Sequence, residues 1–160
     1  MDIFEFAIQM EKDGEAFYRD MAGKIHEKGV KQILNMLAED EVKHARALEQ
    51  IRSRTTEMAD TDILDKAKNI FVRMKDFQEE FDFDHSHEAL YRQAMKIEQD
   101  SIDFYLDRAD QVEETSHKAL FLRLAEEEKK HYRLLSGLVD FVSRPRTWLE
   151  NAEFYHMEEY

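Results

Sequence analysis

Two short motifs place an oxygen donor and a nitrogen donor on one helical face. Glu41 and His44 lie three residues apart, and so do Glu128 and His131. At that spacing two side chains on a helix point the same way. A carboxylate and an imidazole presented together can share one cation. The motif alone carries little, because Glu114/His117 and Glu153/His156 match it too. A repeat separates the cases. Residues 7–50 laid on residues 94–137, a shift of 87 with no gap, give seventeen identities in 44 pairs. Chance would give on the order of three or four, so the halves look duplicated. The identities include Glu11/Glu98, Tyr18/Tyr105, Glu41/Glu128 and His44/His131. The other two Glu-x-x-His pairs have no repeat-related partner.

The elements that must hold these residues are helices. Four glycines and one proline leave few breakers, which suits long helices and not a turn-rich β fold. Apolar residues recur at helical spacing over about 2–25, 30–53, 87–112 and 117–143. His26-Glu27-Lys28-Gly29 and Glu113–Ser116 read as turns, Asp84 or Ser86 as the cap of the third helix, and Pro145 as the stop of the fourth. Residues 54–85 form a long crossover, with Thr61 capping a short helix inside it, and 144–160 a C-terminal extension. Two hairpins joined by a long connection predict an all-α, four-helix bundle in one domain spanning 1–160.

That topology brings the candidates to one level. Glu11 and Glu41 are 30 residues apart, with their midpoint in the first turn; Glu98 and Glu128 repeat this around the second. Each lies about 22 Å along its helix from its turn, at 1.5 Å per residue. Six residues therefore converge: Glu11, Glu41, His44, Glu98, Glu128 and His131. Singly, each reads as a surface glutamate or a core histidine. Together they sit on inward stripes, Ala7, Glu11, Tyr18 and Ala22 on one helix and Leu34, Leu37, Glu41, His44 and Leu48 on the next. Four ionised carboxylates inside a bundle are costly unless paired, and no Lys or Arg falls obviously on those stripes. Two divalent cations would neutralise the four and leave two imidazoles as the remaining ligands.

Composition removes other functions. There are 36 acidic and 23 basic residues, a formal charge of −13, which disfavours nucleic acid and anionic membrane surfaces as partners. With no cysteine, disulfides, iron–sulfur clusters and thiol nucleophiles are excluded. No apolar run is long enough to span a bilayer and no signal peptide is visible, so the expected location is cytoplasmic.

The ordered set Glu-x6-Tyr (Glu11/Tyr18, Glu98/Tyr105) and Glu-x-x-His (Glu41/His44, Glu128/His131) resembles the ferritin-like superfamily, and within it the rubrerythrin-type diiron proteins. The resemblance covers both hairpins, about 100 residues. It implies two iron ions, with manganese or zinc also compatible with the donors. It implies that Glu41 and Glu128 bridge the metals, that Glu11, Glu98, His44 and His131 are terminal ligands, and that Tyr18 and Tyr105 hydrogen-bond the ligand carboxylates. The implied activity is reduction of hydrogen peroxide or dioxygen. The chain departs from the family twice. It lacks the four-cysteine rubredoxin-like module, so electrons must come from a separate donor such as a rubredoxin-like protein. The extra glutamate one turn after a terminal ligand is replaced by Ser101, whose repeat mate is Gly14. Glu15 is a substitute carboxylate in that region; its repeat mate Ile102 places it instead near a solvent opening or in a salt bridge.

Two other functions share the same residues: a ferroxidase or iron-binding protein of ferritin type, and a structural metal-binding bundle without catalysis. The resemblance also implies a homodimer. Phe77, Phe81, Phe83 and Trp148 either lie at that interface or cover their own bundle. His85, His87, His117 and His156 read as surface or capping residues.

Overall fold

A computed structural model describes residues 2–52, 63 and 87–143. The crossover with Thr61, Phe77, Phe81 and Phe83, the extension with Pro145 and Trp148, and the residues Asp84, His85, Ser86 and His156 lie outside the described residues. Among the described residues four long helices are present: α1 (Ile3–Lys24), α2 (Lys28–Arg52), α3 (Glu88–Gln111) and α4 (Thr115–Ser143). Asp2 caps α1, its carboxylate accepting from the Glu5 N–H at 2.9 Å. Arg52, at the end of α2, donates to Asp2 at 3.2 Å and Glu5 at 2.9 Å, tying the open end of the first hairpin together.

The helices follow the sequence pattern with three differences. α2 and α4 each start two residues earlier than the apolar pattern predicts. Lys31 and Lys118, repeat mates, donate their backbone N–H groups to Glu27 and Glu114 and close those first turns. At the start of the third helix His87 stands at the N-cap position, and its side chain makes no capping bond.

α1 packs along α2 and α3 along α4, and α2 meets α4 and α1 meets α3 across the two hairpins. Two apolar clusters fill the bundle. One joins Met21, Ile25, Ile33 and Leu37 to Tyr91, Leu134 and Leu138. The other joins Ala7, Ile8 and Leu48 to Tyr105, Phe121 and Leu124. In each helix the candidate ligands fall in sequence between these clusters, so a polar layer is closed off from water on both sides. Among the described residues no helix is long and apolar enough to cross a membrane.

Candidate metal centre

All six candidate ligands meet in that layer, and each is at least 95 % buried. They form two overlapping groups. Glu11, Glu41, His44 and Glu128 bring one donor atom each within 4.8 Å of one another, and so do Glu41, Glu98, Glu128 and His131. Glu41 and Glu128 belong to both. The two imidazoles lie nearly parallel, 5.5 Å between centroids. Both turn Nδ1 inward. His44 Nδ1 is 2.8 Å from Glu128 Oε1 and 3.3 Å from Glu11 Oε2. His131 Nδ1 is 3.0 Å from Glu41, 3.4 Å from Glu98 and 3.5 Å from Glu128.

The tyrosines work across the hairpins. The Tyr18 hydroxyl donates to Glu98 Oε1, and the Tyr105 hydroxyl donates to Glu11 Oε1. Each helix-borne tyrosine therefore fixes the carboxylate of the opposite half. Burial, with Glu98 beside Tyr18 and Glu11 beside Tyr105, pushes both phenols well above their usual range. They stay neutral and act as donors.

The electrostatics of the layer are those of a site short of positive charge. Burial, then repulsion from Glu11 and Glu128, pushes the Glu41 carboxyl well above the usual range. Burial and Glu128 do the same to Glu98. Burial also opposes ionisation of Glu128, but the neighbouring Glu98 carboxyl and the attraction of His44 hold it well below the usual range. Burial disfavours a charged His44, yet Glu11 and Glu128 outweigh it and raise the imidazole to about 10. His131 is likewise raised well above its ordinary value, burial being outweighed by Glu98 and Asp40. Protons on these groups occupy positions that cations would take.

Four donors fit a metal better than they fit each other. Glu41 Oε1, Glu98 Oε2, Glu128 Oε2 and His131 Nδ1 are buried and make no hydrogen bond. Such atoms are expensive to leave unsatisfied, and all four belong to one of the two groups above. Carboxylate and imidazole donors suit iron, manganese and zinc alike.

Sequence reasoning missed two acids. Asp40 and Glu127 are buried, 4 % and 1 % exposed. Each immediately precedes a shared carboxylate, and they are repeat mates. Asp40 Oδ2 lies 2.9 Å from His131 Nε2 and fixes that ring from behind; a partner of this kind orients a ligating imidazole and raises its basicity. Glu127, one methylene longer, lies 3.6 Å from Arg123 and 4.0 Å from Lys130. The signal was present: an acid in both repeats, overlooked because the pair is similar rather than identical.

Other candidates fall outside the centre. Glu15 pairs with Arg19 at 2.8 Å and belongs to neither buried group. Glu114 and His117 make a surface pair at 3.2 Å, with His117 edge-on to Phe4. Ser101 is buried. At Gly14 a Cβ would stand 2.9 Å from Glu41 Oε2, so the side-chain space at that position belongs to the shared carboxylate.

Comparison with known proteins agrees with this arrangement. No curated protein matches the chain. A solved structure, a hypothetical protein from Pyrococcus furiosus, is similar at 24 % identity with a TM-score of 0.62, covering 87 % of each chain; at that identity the likeness is one of fold, the ferritin-like bundle. The family description Rubrerythrin matches residues 2–139, which span all but the last residues of the bundle and every member of the buried cluster. The 160 residues contain no cysteine for a rubredoxin module, but in fold, repeat and cluster the chain belongs to the rubrerythrin family.

Proposed function

We propose that this protein is a non-haem diiron-carboxylate oxidoreductase that reduces a peroxide, with electrons delivered by a separate redox protein. The observation that carries this reading is the sharing of Glu41 and Glu128 by two Glu/His groups. Two positions with two carboxylates in common suit a pair of ions held side by side. Glu11 and His44 would complete one position, and Glu98 and His131 the other. Bound there, two ferrous ions supply one electron each to an O–O bond, so that peroxide takes up two electrons and two protons and leaves as water.

The chain's own residues set the conditions. Four carboxylates balance two divalent ions, and the imidazoles bind as neutral ligands once their protons are displaced. Tyr18 and Tyr105 hold Glu98 and Glu11 in one orientation across the bundle. Asp40 does the same for His131. The two apolar clusters keep bulk water from the layer, which strengthens every charge interaction inside it.

Stopped-flow mixing of the diferrous protein with hydrogen peroxide tests the proposal. Oxidation much faster than that of free ferrous ion is expected. Oxidation no faster than free ion would leave a structural metal bundle as the better account, and zinc recovered after native purification would point the same way.

A further inference from the structure

Beside the carboxylate layer, lined by α1 and α3, lies a pocket of about 460 Å³. Phe6, Met10 and Phe17 of α1 and Ile97 of α3 are its apolar walls. Its polar members, Gln9 and Asp13, are hydrogen-bonded to each other at 2.8 Å. Three of the walls adjoin site residues in sequence: Met10 precedes Glu11, Phe17 precedes Tyr18, and Ile97 precedes Glu98. The pocket is thus level with the carboxylate layer. Gly14 lines it as well, and on its other side a Cβ at Gly14 would stand 2.9 Å from Glu41 Oε2. Pocket and cluster meet at a residue with no side chain, the thinnest wall a helix can offer.

The lining selects the occupant. Among the described residues that line the pocket there is no basic side chain and one acid, Asp13, so a carboxylate or phosphate gains nothing there. Hydrogen peroxide is small and polar and has no use for two phenylalanines and a methionine. A volume of this size, apolar with few polar groups, is that of a site for a small organic molecule. Resting on the peroxide-reducing function proposed above, we propose that the pocket seats the hydrocarbon group of an organic hydroperoxide, with its O–O end toward Gly14 and Glu41. The reaction is ROOH + 2 e⁻ + 2 H⁺ → ROH + H₂O. The O–O bond breaks, the hydroperoxide is reduced, and the electrons come from the separate one-electron redox protein.

Two measurements test this, and the first does not depend on turnover. Zinc-loaded protein carrying ¹³C-methyl methionine is titrated with 2-phenyl-2-propanol, the alcohol formed from cumene hydroperoxide. The Met10 methyl resonance should shift saturably, the buried Met21 methyl should not, and Ile97→Trp, which fills the pocket, should abolish the shift. In the second, diferrous protein is mixed with cumene hydroperoxide or hydrogen peroxide. The ratio of the two rate constants, organic over inorganic, should fall about tenfold in Ile97→Trp, the scale on which a reshaped apolar pocket discriminates. It should fall in the same direction in Phe6→Ala, a change at a half-exposed side chain that leaves the core intact. Absence of a saturable shift overturns the proposal, as does a ratio unchanged in both variants, or a Met10 shift that follows protein concentration without ligand and so marks a second copy on this face. If neither peroxide oxidises the diferrous protein, the peroxide-reducing function fails, while the methyl titration still decides whether the pocket binds.

Discussion

Eighty-seven positions apart, the two hairpins each supply the same three donor residues and the same tyrosine, yet they differ in what stands behind them. Asp40 of the first hairpin reaches His131 of the second. Its mate Glu127 lies instead toward Arg123 and Lys130 of its own helix, and Arg123 occupies the place that Met36 has in the first half. Gly14 gives its side-chain space to Glu41, where the second half carries Ser101. Duplication made two matching sets of donor residues, and divergence of the supporting residues makes the two Glu/His groups inequivalent. Ligand identity is under the tightest geometric demand, because four buried carboxylates are tolerable only with cations among them. The residues behind the ligands are freer to change, and there the chain distinguishes one position from the other.

The largest effects should come from residues shared by both halves. Glu128→Ala should abolish binding at both positions, whereas Glu98→Ala should impair chiefly one. A cobalt titration of each variant reads this as stoichiometry, and equal loss in the two variants would contradict the assignment of Glu128 to both groups.

Next come the acids behind the ligands. Asp40→Asn should weaken metal binding by about 10–100-fold, the usual cost of removing a carboxylate that orients a ligating imidazole. Glu127→Gln should weaken it by less, because Glu127 faces Arg123 and Lys130 of its own helix, whereas Asp40 meets the His131 imidazole directly. Competition with a chelator of known affinity measures both. Equal effects would mean that the two positions are equivalent after all.

Gly14→Ala should lower stability by about 1 kcal/mol net, the crowding of Glu41 Oε2 by the new methyl outweighing the roughly 1 kcal/mol that alanine gains over glycine within a helix. Ser101→Ala should fall well below that. Thermal unfolding of the two metal-loaded variants makes the comparison.

The pH response is gentler and common to both halves. In the metal-free protein His44 titrates at about 10, because Glu11 and Glu128 outweigh the burial that opposes its charge; an unfolded histidine titrates at about 6.5. The folded value is the higher one. Its contribution to stability is therefore complete below about pH 6.5 and is lost as pH rises through about 10. Metal uptake displaces the same proton, so metal affinity should rise with pH over that window. Denaturant unfolding of metal-free protein at pH 7 and pH 10.5 should show lower stability at the higher pH, with a smaller loss in His44→Ala.

Much of this was legible in the chain. The clustering of the six candidate residues was readable because identity survived at each of them and because their midpoints fall in the two turns, which fixes their height in any antiparallel hairpin. Helix periodicity placed Tyr18 and Tyr105 inward as well. Their partners were not legible from the spacing, since Tyr18 reaches Glu98 and Tyr105 reaches Glu11, and which hairpin faces which is a tertiary fact. Asp40 and Glu127 escaped because an acid beside a ligand reads as surface until its burial is known. Gly14 read only as the repeat mate of Ser101, where the extra glutamate is missing, and proves to be the place where Glu41 rests against helix backbone. The early starts of α2 and α4 escaped because Lys28 and Thr115, polar residues before the first apolar position, look like turn.

The central claim is that two metal ions sit side by side between Glu41 and Glu128. Anomalous scattering at the iron edge from an untreated crystal tests it most directly. Two peaks about 3.5–4 Å apart are predicted, the usual spacing in two-metal sites, one beside His44 and the other beside His131. A single peak, or iron-edge signal at neither histidine, would contradict it.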